Sequence, residues 1–285
     1  MNVQHEVNME NADRYVVFGN PIKHSRSPQI HAAFAEQTGQ RLTYRPQLVE
    51  LDHFAEAAQE FFRSGGKGCN ITVPFKLDAY AFAGELSGRA RRAGAVNTLA
   101  LQNDGSIYGD NTDGVGLVRD IEQNLAWEIN NKRVLVIGAG GAVRGVLEPL
   151  LRRHPQFVVI ANRTVEKAEQ LAREFSDLGE VRACAFDALG AEQFDLIINA
   201  TSAGLHGESL DLPASMLAQD CCCYDLTYGA QPTPFMRWAA SEAAWAVADG
   251  LGMLVEQAAE SFCIWRGVRP QTRPVIDMLR ASLHA

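Results

Sequence analysis

The sequence predicts a two-domain α/β protein, with an N-terminal domain on a mixed sheet, a second domain on a doubly wound parallel sheet, and C-terminal helices that return to the first. Three observations carry this expectation. The chain has 285 residues, 47% of them hydrophobic and 21% charged, enough to bury more than one core. Short β-branched or apolar runs alternate with helix-period runs through both halves, the pattern of strands covered by helices. After Gly250 the alternation stops, and two long helical stretches follow at 251–267 and 274–285 with no strand between or after them.

In chain order, YVVFG at 15–19 reads as a strand, with a helix from Pro28, a strand LTYRPQLV at 42–49, a helix from Asp52 and a strand KGCNITV at 67–73. AVNTLAL and IYGD read as an antiparallel pair joined by a turn through Asp104 and Gly105. The domain division is expected at Asp113: residues 1–112, completed by 250–285, form the first domain and 113–249 the second. The second opens with the helix DGVGLVRDIEQN and the strand RVLVIG at 133–138. FVVIAN, TVEKAEQLAREF, VRACAF, FDLIINAT and CCCYDLTY then continue a doubly wound, Rossmann-like alternation. The polar first dozen residues are expected to be disordered.

Composition excludes several classes of partner. A formal net charge of -8 without any lysine-rich or arginine-rich run argues against nucleic acid and leaves small molecules. No stretch approaches the roughly 20 apolar residues that span a bilayer, and the polar start has no signal-peptide core, so a cytoplasmic location is expected. The six cysteines show no CxxC spacing or paired histidine motif, so no metal is expected and the thiols should be free. Cys221 to Cys223 lead into Tyr224 like a buried strand, where cysteine serves as a small apolar residue. Monomer and homodimer both remain open.

After the strand at 133–137 comes GAGGAVRG, with Gly138, Ala139, Gly140, Gly141 and Ala142 forming a tight turn at a helix N-terminus, where a pyrophosphate could approach the backbone. Val143 occupies the third fingerprint position, so the match is imperfect. Pro149 inside the following helix is expected to kink it. The next strand ends at Ala161 and continues into Asn162, Arg163 and Thr164, where an NAD-binding domain would carry a carboxylate for the ribose. A guanidinium and a hydroxyl, with Lys167 one helical turn on, suit a 2′-phosphate instead and point to NADP.

Polar residues collect at the predicted strand ends of the first domain: Ser25 and Ser27, Asn70 and Thr72, Lys76, Asn97, and the loop Asp110 to Asp113. Strand ends are where open α/β sheets bind ligands. The segments GNPIKHSRSP, GGKGCNITVPFK, AGAVNT, GDNTDG, NRT, NATSAG, YDLTY and ADGLGMLVEQA, in this order over nearly the whole chain, resemble the shikimate dehydrogenase family.

The resemblance implies NADP-dependent reduction of 3-dehydroshikimate to shikimate, with Lys76 and Asp113 as the catalytic pair. It also implies that Ser25 and Ser27 hold the substrate carboxylate, that Thr72, Asn97 and Gln257 face the ring hydroxyls, and that Tyr228 adds a further contact. Leu226 and Gly250 match positions near the nicotinamide. Taken alone, Lys76 reads equally as a solvated helix-start lysine, Asp113 as a helix N-cap, and Ser27 as an N-cap before proline. His24 and His31 are not expected to act as acid, base or metal ligand. The resemblance leaves a quinate/shikimate dehydrogenase paralogue as the nearest rival. That rival would be expected to carry an acid near the ribose. A non-catalytic sensor binding NADP or shikimate would have no need of Lys76 with Asp113, and a methylene-tetrahydrofolate dehydrogenase gives no reason for the serine pair.

Overall fold

The alternation resolves into two six-stranded sheets in a computed structural model that describes residues 12–190, 192–201 and 211–283. The polar opening segment and the Ser202–Gly204 end of the NATSAG motif lie outside the described residues. In the first half the order is β1 (Asp13–Gly19), α1 (Ser27–Thr38), β2 (Leu42–Leu48), α2 (Phe54–Arg63), β3 (Gly66–Ile71), α3 (Lys76–Phe82), β4 (Glu85–Leu86), α4 (Gly88–Ala93), β5 (Thr98–Leu101) and β6 (Ile107–Asp110). These strands lie in the order β2-β1-β3-β5-β6-β4. The sheet is mixed: β2, β1 and β3 run parallel, while β5 is antiparallel to both β3 and β6. Pro46 falls on the edge strand β2, where a missing N–H costs the ladder nothing on the open side.

The second half continues with α5 (Asp113–Arg119), β7 (Arg133–Ile137), α6 (Gly141–Leu151), β8 (Phe157–Ala161), α7 (Val165–Phe175), β9 (Val181–Cys184), β10 (Phe194–Asn199), β11 (Leu217–Asp225), α8 (Pro234–Ser241), β12 (Ala246–Asp249), α9 (Leu251–Arg266) and α10 (Arg273–Leu283). Its sheet has the order β12-β11-β10-β7-β8-β9, and every pairing is parallel. Counted from β7, that is the doubly wound order with its switch point between β7 and β10. Val134 to Ile137 are all fully buried, as a strand covered on both faces requires. Among the described residues, no helix is long and apolar enough to cross a membrane.

Packing unites distant segments. Leu251, Val255, Ala259 and Phe262 of α9 and Val275 and Leu279 of α10 share a core with Ile30 and Phe34 of α1, so the C-terminal helices do return to the first half. α5 is wedged between the halves. A side chain at Gly114 would come within 2.4 Å of the Gly145 carbonyl on α6, and one at Gly116 within 2.8 Å of the Gln257 backbone nitrogen on α9. Only glycine allows both approaches.

Several expectations shift. The helix expected from Asp52 begins at Phe54, and the helix expected over 113–124 changes to a π-helical turn at Asp120–Asn124. The strand expected to reach Val73 stops at Ile71, because Phe75 N–H donates to the Thr72 carbonyl and turns the chain into α3. β12 went unforeseen, since its AVAD sequence carries no strong β signal. Cys221 to Cys223 lie inside β11, all buried, as expected of small apolar residues.

Candidate active site

The C-terminal ends of β1 and β3 and the N-termini of α1, α3, α5 and α9 surround a cavity of about 410 Å3. Ser25, Ser27, Thr72, Lys76, Asn97, Asp113, Tyr228 and Gln257 all line it, together with Leu226 and Gly250. Lys76 is the first residue of α3, where the turn after Ile71 aims it inward. Asp113 is the first residue of α5; Thr112, not Asp113, takes the cap position, so the carboxylate is not used by its own helix. Likewise Arg26 rather than Ser27 stands at the cap of α1 and makes no capping bond with its side chain, while the Ser25 hydroxyl accepts from the Ser27 N–H at 3.3 Å.

At the floor of the cavity, Lys76 Nζ donates to Asp113 Oδ2 at 2.6 Å, with the two side chains 29% and 13% exposed. Asn97 Nδ2 donates to the other carboxylate oxygen at 2.8 Å, which fixes the acid from both sides. Asn97 is itself held, its Oδ1 accepting from the Thr112 N–H at 2.9 Å and from the Thr98 hydroxyl at 2.9 Å. Gln257 reaches across from α9 to Asn97 at 3.4 Å. A lysine so placed is a cation and proton source beside a pocket, with an anchored carboxylate to restrain its position.

Sequence reasoning assigned no role to the scaffold beneath. Asn70 is buried and donates to Ser261 Oγ at 2.9 Å and Thr98 Oγ1 at 3.1 Å, while its Oδ1 accepts from the Tyr44 hydroxyl at 2.7 Å. Asn70 also lines the cavity. Its position at a strand end was the available signal; Tyr44, Thr98 and Ser261 carry none, because a polar residue in a strand or helix reads as solvent-facing. His31 stacks on Tyr44 with ring centroids 4.1 Å apart, and neither ring nitrogen has a hydrogen-bond partner among the described residues. Burial drives its pKa down to about 3, so it stays neutral. His24 lines the cavity mouth.

The glycine-rich turn and the NRT segment stand apart from this cavity. Gly138 has φ +114°, a conformation natural only to glycine, and lets the turn pass close to the Ala200 carbonyl at the end of β10. Gly140 caps α6, and a side chain at Gly140 or Gly141 would meet nothing within 4 Å among the described residues. Ala139 and Ala142 flank these glycines, while Val143 is buried in the core. Pro149 lies within α6, which continues to Leu151. At the end of β8, Asn162 Nδ2 donates to the Thr164 carbonyl at 2.8 Å and tightens the loop. Thr164 caps α7 by its backbone alone, its hydroxyl makes no hydrogen bond among the described residues, and Arg163 and Lys167 are exposed beside it. Exposed cations, a hydroxyl and a helix N-terminus form a cradle that fits a phosphorylated dinucleotide.

Profiles of known families match most of the chain: the shikimate dehydrogenase substrate binding domain over residues 17–99, shikimate / quinate 5-dehydrogenase over 120–206, and the shikimate 5'-dehydrogenase C-terminal domain over 250–280. A shikimate dehydrogenase (NADP(+)) of Cellvibrio japonicus is 59% identical over 95% of this chain and 98% of its own length. Another, from Methylococcus capsulatus, is 57% identical over 96% and 98%. Among solved structures, the Ael1 enzyme from Pseudomonas putida superposes with a TM-score of 0.90 at 48% identity, covering 94% of this chain and 98% of that one. The Thermus thermophilus shikimate 5-dehydrogenase in complex with NADP(H) and shikimate gives 0.85 at 32%, over 95% and 100%. The chain belongs to the shikimate dehydrogenase family.

Proposed function

We propose that this chain is an NADP-dependent oxidoreductase that interconverts 3-dehydroshikimate and shikimate, with Lys76 and Asp113 as its catalytic pair. The observation that carries the reading is the 2.6 Å contact between these two side chains at the floor of the cavity. When bound, the coenzyme supplies or accepts the hydride. Reduction places negative charge on the ketone oxygen, and Lys76 is the group that stabilises it and delivers a proton there; in the reverse direction the same amine removes it. Asp113 and Asn97 keep the ammonium aimed at that oxygen.

Ser25 and Ser27 are read as the carboxylate clamp, with Thr72, Asn97, Gln257 and Tyr228 on the ring. Neutral hydroxyl donors satisfy a monoanion without burying another charge. Gly138, Ala139, Gly140, Gly141 and Ala142 would take the pyrophosphate, Asn162, Arg163, Thr164 and Lys167 the adenosine end, and Leu226 with Gly250 the nicotinamide end. Two functional units follow, divided at Asp113 and Gly250, the C-terminal helices belonging with the substrate unit. Six free cysteines fit a reducing compartment, and we assign the enzyme to the cytoplasm.

The test is direct. With 3-dehydroshikimate, the purified protein should consume NADPH far faster than NADH, and shikimate with NADP should run the reverse reaction. Equal or better turnover of quinate with NAD would overturn the substrate and coenzyme assignment.

A further inference from the structure

A second cavity, of about 520 Å3, opens between α4 and β6 on one side and α5 and α6 on the other. Four arginines and two acids line it, and both acids are already paired with two of the arginines. Arg89 chelates Asp110 at 2.7 and 2.8 Å and also reaches Glu260, while Arg152 closes on Glu148 Oε1 at 2.7 and 2.9 Å. Arg119 and Arg153 are less committed. Arg119 approaches Glu256 only at 3.5 Å, and that carboxylate already accepts from Arg269 at 2.6 Å and Thr272 at 2.5 Å. The nitrogen that faces Glu256 is the shielded Nε of Arg119, while the terminal nitrogens of its guanidinium make no hydrogen bond among the described residues. Arg153 keeps one 3.2 Å contact with Glu122 and is 45% exposed.

Val115, Val118 and Pro149 add an apolar wall. We propose that this cavity is a second ligand site, for a small monocarboxylate carried on an aromatic or alicyclic body. Arg119 and Arg153 supply charge-assisted donors for one carboxylate, and the apolar wall takes the ring. Val115, Val118 and Pro149 would leave the further oxygens of a phosphate without donors, which favours a carboxylate on an apolar body. α5 carries Asp113 in the catalytic cavity and Val115, Val118 and Arg119 in this one, so the ligand would press on the helix that holds the catalytic acid.

Benzoate serves as the probe, titrated calorimetrically into the enzyme holding shikimate and NADPH so that the catalytic cavity is occupied. A single saturable event is expected, weakened at least tenfold by Arg119→Gln and several-fold by Arg153→Gln, whose side chain is 45% exposed and which carries the test if Arg119→Gln misfolds. In steady state, benzoate should depress turnover even at saturating shikimate. The proposal is overturned by absence of saturable binding, by equal affinity in both variants, by inorganic phosphate binding more tightly than benzoate, or by inhibition that shikimate relieves completely.

Discussion

On the proposed substrate side of the molecule, Lys76, Asn97, Asp113 and Gln257 are tied to one another by hydrogen bonds. On the proposed nucleotide side, among the described residues, the side chains of Arg163, Thr164 and Lys167 make no such ties, and a side chain at Gly140 or Gly141 would meet nothing within 4 Å. The contrast teaches where each side obtains its precision. Groups that must meet a developing charge are oriented by the fold, so little reorganisation is left for the reaction itself. Groups that grip a phosphate can stay solvated and mobile, since strong charge-assisted bonds offset their ordering.

Breaking the tied side should have the largest effect. Lys76→Ala is expected to lower kcat by 100-fold to 10,000-fold, about 3 to 5 kcal/mol of transition-state stabilisation, while shikimate binding weakens only modestly. Asp113→Asn should show a related, smaller defect, and the double variant should fall well short of the product of the two. Near-normal turnover of purified Lys76→Ala enzyme would leave the lysine as a mere helix-start residue.

The untied side should respond in selectivity rather than chemistry. NADP is expected to be preferred over NAD by roughly two to three orders of magnitude, about 3 to 4 kcal/mol, within what charge-assisted pairs from Arg163 and Lys167 together supply. Arg163→Asp should shrink or invert that ratio in paired kcat/KM measurements. The NADP KM should also rise with salt more steeply than the shikimate KM, because exposed charges are screened.

Acid should find the scaffold beneath the substrate side. His31 has a folded pKa of about 3 against an ordinary value of 6.5, so the unfolded chain binds one more proton between those limits. Stability is therefore full above pH 6.5 and lost as pH falls through that window, by about 2 kcal/mol from this group between pH 7 and pH 5. Melting curves across this range should show the decline, and His31→Phe should flatten it. The same slope in wild type and variant would remove His31 as its source.

The smallest effect is expected at the carboxylate clamp. Ser25→Ala and Ser27→Ala should each raise the shikimate KM by about tenfold or less, roughly 1 kcal/mol, with kcat little changed. A group remote from the reacting carbon is held equally in ground and transition states. A lowered melting temperature with unchanged KM would point instead to a structural serine at the start of α1.

The sequence made the strand and helix order of both halves legible because parallel, doubly covered strands such as RVLVI and FVVIA are continuous apolar runs. It made the cavity residues legible because they sit in rare motifs at strand ends. β12 escaped because alanine and valine in AVAD suit strand and helix about equally. The buried links from Tyr44 through Asn70 to Ser261 escaped for a different reason: residues 44, 70 and 261 meet only when β2, β3 and α9 converge, and nothing local marks a hydroxyl as buried.

The glycines of α5 have a mechanical consequence. A helix seated against α6 at Gly114 and against α9 at Gly116 touches both neighbours backbone to backbone, with no side-chain rotamers there to yield. Sliding along either contact would drive main-chain atoms into each other, and turning about the helix axis would bring the Val115 or Leu117 side chain to where only a glycine fits. α5 is thus built as a keystone: it seats between α6 and α9 in one rotation only, and Asp113 at its first turn is set with it.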